Sequence, residues 1–291
     1  MKPTFFRSSA ILLLTVIFCV WTPGIPAQDT QEPEAFRIKH DGVELQCYFH
    51  RAAGKGPFPT IILLQGWASG GKDSRQIGAT LAGSGINSIT IHYRGTYLSD
   101  GLFTYQDLFK DLVFIFNLLQ TAEFQKKYEI DTTKIIMGGH SFGGAVSMTV
   151  AANHPEIKYV FSVGAPDHAQ LAREYAENPK LAEMLDASFA KREAPHGPVR
   201  GGVAALRDLV ENPDSHDLRK LAPKFKGKKI LIIGGWEDPA ATVDHHLLPF
   251  YRALKQAGVE DVEFTVYHTD HSFRNVLKQL SDDILEWIST I

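Results

Sequence analysis

The stretch KIIMGGHSFGGA, residues 134–145, decides how this chain folds. A β-branched apolar run ends in two glycines, a histidine and a serine follow, and two more glycines lead into a stretch of small apolar residues. The apolar run predicts a strand over 135–138, and the residues from 143 to 153 predict a helix. The serine therefore lies in a glycine-rich turn between a strand and a helix.

The turn from Gly139 to Gly143 fits the pattern G-x-S-x-G. In such a turn the serine takes a positive φ, which costs a few kcal/mol at most for a non-glycine residue. A Cβ two residues before or after the serine would strike the strand or the helix, and glycine avoids that contact. The turn would expose Oγ of Ser141 at the amino end of the helix, whose dipole favours a nearby anion. The alternative is a glycine-rich turn that only packs closely.

Short β-branched runs alternate with longer helical stretches along most of the chain. A hairpin is predicted over 36–51, and further strand-like runs cover 60–66, 87–95, 134–139, 158–166, 228–238 and 262–268. Helix-like segments lie around 74–83, 104–127, 143–153, 243–257 and 272–290. Continuous apolar runs are typical of strands buried on both faces of a parallel sheet. The repeated β–α order therefore predicts an α/β fold with a doubly wound, mostly parallel sheet.

The stretch from Asp167 to about Ala222 breaks this alternation. It has no convincing strand, and its polar helical patterns are interrupted by Pro195, Gly197 and Pro198. An insertion of this length after a strand predicts a helical cap over the carboxyl edge of the sheet. We therefore expect one domain over 28–291, with a cap insertion at about 167–222.

The first residues differ in character from the rest of the chain. Lys2 and Arg7 precede an apolar run from Ala10 to Trp21, and Ala27 is a small residue at a plausible cleavage point. These features are typical of a secretory signal peptide, and the run is too short to cross a hydrocarbon core of about 30 Å. We expect residues 1–27 to be a signal peptide of an exported, periplasmic or secreted protein that keeps no stable membrane insertion. An uncleaved membrane anchor is the alternative.

The composition is that of an ordinary globular protein, with 44% hydrophobic and 22% charged residues in a chain of 291. Removal of residues 1–27 takes away Lys2 and Arg7 and no acid, so the net charge changes from −3 to −5. Without a basic cluster, no nucleic-acid partner is expected. Cys47 would then be the only cysteine, so no internal disulfide can form, and we interpret it as a strand residue rather than a catalytic thiol.

A serine hydroxyl becomes a good nucleophile at neutral pH only when a base takes its proton and an acid orients that base. Asp238 follows the strand that ends in IIGG, and His271 follows the last strand, within HTDHSF. The order Ser141, Asp238, His271, with each residue just past a strand, predicts a Ser-His-Asp triad. Glu237, beside Asp238, is the alternative acid.

Other polar residues near these positions have simpler explanations. Asp270 is expected to cap the last helix, and His268 and His140 are expected to pack or to form hydrogen bonds. His245 and His246 are adjacent on a helix and so point in different directions. We therefore expect no metal site and no cofactor.

Acyl transfer also requires two backbone N–H groups directed at the developing oxyanion. Phe142, directly after the serine, would provide one of them. Trp67, in the loop QGWASGG at 65–71, would provide the other, and Gly66 beside it would let the backbone approach the substrate.

Taken together, these segments make the chain resemble the α/β-hydrolase-fold serine hydrolases. It resembles in particular the bacterial exported esterases and the aminopeptidase- or prolyl-oligopeptidase-like members that carry a helical cap. The matching segments are LLQGW, HYRGTYLSDG, GGHSFGG, IIGGWEDPA and HTDHSF, and they run from about residue 36 to the C-terminus. The resemblance implies that Arg94 braces the loops under the site. Two positions depart from the family pattern, because Gln65 stands where many members have His and His92 where many have Asp.

The resemblance implies cleavage of a carboxylic ester or related acyl bond through an acyl-enzyme, with no cofactor. The expected partner is a small-molecule acyl substrate or a short peptide. A serine peptidase of the prolyl-oligopeptidase-like type is the second hypothesis, for which Glu174, Glu177 and Glu183 are candidates to hold a free amine. A non-catalytic binding protein on the same fold is the third.

Overall fold

The computed structural model of the protein describes residues 32–67 and 69–291. Its described part contains one eight-stranded sheet with the order β1-β2-β4-β3-β5-β6-β7-β8. In chain order the strands are β1 (Glu34–His40), β2 (Val43–His50), β3 (Phe58–Leu64), β4 (Asn87–Ile91), β5 (Ile130–His140), β6 (Tyr159–Val163), β7 (Lys229–Gly235) and β8 (Val262–Tyr267). β1 pairs with β2 and β2 with β4 in antiparallel fashion, and every other pairing is parallel. The predicted mostly parallel sheet is confirmed.

Helices cover both faces of the sheet, as the repeated β–α order predicted. In chain order the helices of the described structure are α1 (Ile77–Ala82), α2 (Tyr105–Leu119), α3 (Ala122–Tyr128), α4 (Phe142–Asn153), α5 (His168–Glu177), α6 (Pro179–Glu193), α7 (Gly202–Glu211), α8 (Leu218–Leu221), α9 (Leu248–Gln256) and α10 (Leu277–Ser289), of which α5, α6 and α7 pack on one another. Successive side chains of a strand point to opposite faces. In β3, Ile61 and Leu63 therefore enter the core beneath α1 and α10, whereas Ile62 and Leu64 enter the core beneath α2 and α4.

The single helix predicted for 104–127 is two helices in the structure. α2 ends at Leu119, and α3 begins at Ala122 after a turn that contains Thr121. The hydroxyl of Thr121 accepts a hydrogen bond from the N–H of Phe124 at 3.4 Å, which satisfies one of the free donors at the new helix start. The prediction was wrong here because the helical pattern continues across a capping residue.

The chain between β6 and β7 is helical in the structure and holds α5, α6, α7 and α8. It is tied to the loop after β4 by a bridge between Thr96 and Val199 and by hydrogen bonds from Arg200 to backbone carbonyls of that loop. The cap role assigned to residues 167–222 stays a prediction.

A buried ion pair supports the loop after β4. Arg94 donates through Nε and Nη2 to the two carboxylate oxygens of Asp111 on α2, at 3.0 and 2.6 Å. His40 of β1 also contacts this carboxylate, at 2.7 Å between Nδ1 and Oδ1. A bidentate pair of this kind fixes geometry as well as contributing energy. Arg94 thus joins the loop after β4 to α2, as the structural role expected for it requires.

The predicted signal peptide, residues 1–27, lies outside the described residues, so export stays a prediction. Among the residues that are described, no helix is long and apolar enough to cross a bilayer.

Candidate active site

Ser141 occupies the sharp turn between β5 and α4. Its backbone has φ 55° and ψ −124°, a conformation that non-glycine residues rarely adopt. The turn is held by the N–H of Ser141, which donates to the carbonyl of Val163 in β6 at 2.8 Å. Strain of this kind costs about 1–3 kcal/mol and persists only where surrounding contacts impose it.

The glycines of the turn are required mainly by the neighbouring strand. A Cβ on Gly143 would lie 2.5 Å from the carbonyl carbon of Leu64 and 2.6 Å from the carbonyl oxygen of Gln65. A Cβ on Gly139 would collide with the carbonyl oxygen of Leu64. The obstacle for both is therefore the carboxyl end of β3, which sequence analysis did not identify.

We expect Gly143→Ala to lower the free energy of unfolding by about 1–3 kcal/mol, as overpacking does. The backbone of Leu64 cannot move aside without disturbing β3, and the loss would occur although alanine is the better helix former by about 1 kcal/mol. Urea unfolding followed by circular dichroism measures the change, and hydrolytic activity should fall with it.

Gly227→Ala is the matched control for this substitution. Gly227 has φ +77° and no atom within 4 Å of an added Cβ, so only its backbone conformation is penalised. The control should lose some stability and keep its activity. Equal losses of activity in the two variants would contradict the steric role of Gly143.

Three of the predicted site residues meet in one hydrogen-bonded chain. Nε2 of His271 lies 2.9 Å from Oγ of Ser141, and Nδ1 of the same ring lies 2.8 Å from Oδ2 of Asp238. Asp238 follows β7 and His271 follows β8, so parallel strands bring both to the edge where β5 ends. The imidazole can therefore accept a proton from the serine on one side while the carboxylate holds its other nitrogen.

Asp238 is buried and its second oxygen is held by the backbone. Oδ1 accepts hydrogen bonds from the N–H groups of Ala240 and Ala241, at 2.8 and 2.9 Å. Burial alone would raise the pKa of Asp238, but the hydrogen bond and the charge of His271, followed by the two N–H groups, outweigh burial and lower the pKa. The carboxylate is thus ionised at neutral pH and faces His271.

His140, next to the serine, supports the loop that carries His271. Its Nε2 lies 2.8 Å from the backbone carbonyl of His271, which fits a donated hydrogen bond. Burial, then the charges of Arg75 and His271, lower the pKa of His140 to about 3, so the ring is neutral. His140 therefore forms a structural hydrogen bond and does not contact Oγ of Ser141, in agreement with its predicted role.

The rival acids and bases lie elsewhere. Glu237 is exposed and contacts the exposed His268, at 3.3 Å, rather than His271. Asp270 accepts hydrogen bonds from the N–H and hydroxyl of Ser272 at the turn that precedes α10. Within the described part of the chain, no cluster of three or more metal-ligating side chains occurs.

The predicted oxyanion residues lie beside the serine. Phe142 begins α4, so its N–H has no acceptor within the helix. A Cβ on Gly66 would lie 3.6 Å from Cβ of Ser141, which places the loop of Trp67 against the turn. The Trp67 ring packs on Phe142 with centroids 5.2 Å apart and stacks on Phe189 of α6 at 4.7 Å.

The two departures from the family pattern stabilise this same loop. The side chain of Gln65 donates through Nε2 to the backbone carbonyl of Gly71 at 2.5 Å. The backbone carbonyl of Gln65 accepts a hydrogen bond from the hydroxyl of Tyr93 at 2.6 Å. Nε2 of His92 lies 3.2 Å from the carbonyl of Gly70. Both residues therefore hold the loop that carries Trp67.

A cleft of about 1120 Å³ opens onto Ser141 and His271. Other side chains that line it, from the loop after β3 and from α6, include Lys72, Asp73, Arg75, Ser188 and Arg192. Sequence analysis missed these residues, because neither the loop after β3 nor the middle of a polar helix carries a recognisable pattern. The segment DPAA, residues 238–241, could have predicted the two N–H groups that hold Asp238, because an aspartate often accepts hydrogen bonds from N–H groups two or three residues later.

Comparison with known proteins agrees with this topology. Residues 56–192 match the family described as serine aminopeptidase, S33. A structure of Est1E from Butyrivibrio proteoclasticus with bound ferulic acid is 18% identical with a TM-score of 0.64, and the match covers 88% of this chain and 100% of that one. An acylaminoacyl peptidase from Pyrococcus horikoshii is 20% identical with a TM-score of 0.63, and the match covers 89% of this chain and 41% of that one.

A third similar structure is the enol-lactonase from Burkholderia xenovorans LB400, at 17% identity and a TM-score of 0.56, covering 87% of this chain and 99% of that one. No curated protein matches the sequence. The strand order, the serine turn between β5 and α4 and these similarities agree, and the chain has the α/β-hydrolase fold.

Proposed function

We propose that this protein is a serine hydrolase that cleaves a carboxylic ester through an acyl-enzyme formed on Ser141. The observation that carries the proposal is the chain of contacts from Ser141 Oγ to His271 at 2.9 Å and from His271 to Asp238 at 2.8 Å. A serine, a base and an acid in this arrangement are the groups that nucleophilic acyl transfer needs.

In the acylation step, Oγ of Ser141 bonds to the carbonyl carbon of the ester while its proton moves to Nε2 of His271. The negative charge that develops on the carbonyl oxygen is stabilised by the N–H groups of Phe142 and Trp67. The bond to the leaving alkoxide then breaks, and the imidazolium returns the proton to the leaving oxygen. Asp238 stabilises the imidazolium during both transfers.

In the deacylation step, water takes the place of the leaving alcohol and the acylation steps run in reverse. Nε2 of His271 takes one proton from water as the hydroxide oxygen bonds to the acyl carbon. The bond to Oγ of Ser141 breaks, the proton returns to Oγ, and the carboxylic acid leaves. The protein is unchanged at the end, and the reaction consumes one water.

A peptidase is the second candidate, because the matched family is described as serine aminopeptidase and one similar structure is an acylaminoacyl peptidase. Recognition of a free amine would need an available carboxylate in the cleft. In the described structure Glu174 faces His246 at 3.5 Å, and Glu177 and Glu183 are exposed on the cap helices outside the cleft lining. This arrangement favours an ester over an aminoacyl substrate.

The experiment that tests the proposal compares 4-nitrophenyl esters of graded acyl length with aminoacyl-4-nitroanilides. We expect the purified protein to cleave at least one ester and to show a burst of nitrophenol, since deacylation limits many serine hydrolases that act on activated esters. Cleavage of the anilides alone would replace ester hydrolysis by peptidase activity. Failure of a fluorophosphonate probe to label the folded protein would favour the third hypothesis, a non-catalytic binding protein.

A further inference from the structure

The cleft beside Ser141 contains a half-buried cation that forms no hydrogen bond or ion pair with the described residues. Arg75 lies in the loop between β3 and α1 and lines the same cleft as Ser141 and His271. Within residues 32–67 and 69–291, no hydrogen bond or ion pair engages its guanidinium. A guanidinium is always charged and carries five donors, so one that lies in a cleft without an ion pair can bind an anion there.

Lys72 and the two acids that line the cleft, Glu32 and Asp73, are already engaged. Lys72 forms an ion pair with Glu32 at 2.6 Å. The two carboxylate oxygens of Asp73 each accept a hydrogen bond at 2.9 Å from the N–H groups of Gly78 and Ala79. The acids of the cleft thus contact other groups, and neither forms an ion pair with Arg75.

The backbone holds Arg75 in this position at a cost. Its φ is 57°, and that of the next residue, Gln76, is 61°, so two consecutive non-glycine residues are left-handed. Such conformations are uncommon and are often retained where a site requires them. Burial, followed by the nearby charge of Arg274, lowers the pKa of Arg75, and Asp270 only partly offsets this. The folded protein therefore maintains an unfavourable charge next to the serine.

We propose that Arg75 binds a carboxylate of the substrate, so that the preferred substrates are esters that carry a second, anionic carboxyl group. The planar fork of the guanidinium matches a carboxylate through two parallel hydrogen bonds. This proposal rests on the proposed function for its kinetic test but not for its binding test. It also explains why the cleft does not suit a free amine, since an amine would be repelled by Arg75.

The kinetic test compares pairs of esters that differ in one carboxylate. In the first pair, mono-4-nitrophenyl adipate carries a carboxylate on its acyl group and 4-nitrophenyl hexanoate does not. In the second pair, 4-carboxyphenyl acetate carries a carboxylate on its leaving group and phenyl acetate does not. We expect the wild type to prefer the anionic member of at least one pair in kcat/KM. Arg75→Gln should lower kcat/KM for that member by about 10- to 100-fold, the effect of losing a charged hydrogen bond, and leave the neutral member nearly unchanged.

Two further variants control for charge. Arg75→Lys should retain part of the preference, because it keeps the cation and loses the fork. Lys72→Gln removes one positive charge from the same cleft but breaks only an exposed pair, so it should change the preference little. Equal losses for the anionic and neutral esters in Arg75→Gln, or equal effects of Lys72→Gln and Arg75→Gln, would overturn the proposal.

A binding measurement separates this proposal from the proposed function. In the Ser141→Ala background, calorimetric titration with monoethyl adipate should show binding that the double variant Ser141→Ala, Arg75→Gln loses by at least about tenfold. This result would support the carboxylate site even if the wild type hydrolysed none of the esters. Equal affinity of the single and the double variant for monoethyl adipate, or no binding by either, would overturn the carboxylate site whatever the esterase result.

Discussion

Replacing Ser141 with alanine is expected to lower kcat for ester hydrolysis by about 10⁶-fold, as loss of the nucleophile does in serine hydrolases. Oγ is the atom that lies 2.9 Å from Nε2 of His271, and alanine provides nothing in its place. The fold should persist, because the N–H of Ser141, which donates to the carbonyl of Val163 at 2.8 Å, remains in the variant. Steady-state kinetics and labelling by a fluorophosphonate probe measure the loss.

Ser147→Ala is the matched control for this experiment. Ser147 lies on the same helix, α4, and its buried hydroxyl donates to the carbonyl of Gly143 at 2.7 Å without contact to His271. It should lose a little stability, keep its activity and remain labelled by the probe. Activity that survives in Ser141→Ala, with an unchanged circular dichroism spectrum in both variants, would contradict the proposed nucleophile.

The second large effect is expected for Asp238→Asn, with a fall in kcat of about 10⁴-fold. The amide oxygen can still accept from the N–H groups of Ala240 and Ala241, which leaves the amide NH₂ facing Nδ1 of His271. Nδ1 must then accept rather than donate, so the proton moves to Nε2. A protonated Nε2 cannot take the proton of Ser141, and the variant should bind substrate normally but turn it over slowly.

Glu237→Gln tests whether the neighbouring acid contributes. Glu237 contacts His268 at 3.3 Å and is exposed, so its charge should not affect the tautomer of His271. Its kcat is expected to remain near that of the wild type. A loss in Glu237→Gln as large as that in Asp238→Asn would show that the acid has been assigned wrongly.

Much of the fold follows from local patterns in the sequence. Apolar runs without alternation identified the strands from β3 to β8, and Asp41 and Gly42 identified the turn of the first hairpin. These predictions succeeded because burial on both faces of a sheet leaves a direct signature in residue type. The division between α2 and α3 was missed because one capping hydroxyl gives a weaker signal than a continued helical period.

The candidate site was predictable to the extent that its residues follow strands. Parallel strands end at one edge, so residues just after β5, β7 and β8 gather there whatever the loops contain. Arg75 could not be found in this way. Its half-buried position in the cleft and its lack of an ion pair depend on how the loop after β3 lies relative to α6 and to the loops of Asp238 and His271.

The sequence by itself determined the α/β sheet and the three side chains that meet at its edge, because residue type and strand order control both. Only the tertiary structure decided that β3 makes glycine necessary at 139 and 143, that Glu237 contacts His268, and that a cation outside any ion pair lines the cleft. The reason is physical. Steric overlap, hydrogen-bond direction and the pairing of charges depend on distances between segments far apart in the chain, and no local pattern encodes those distances.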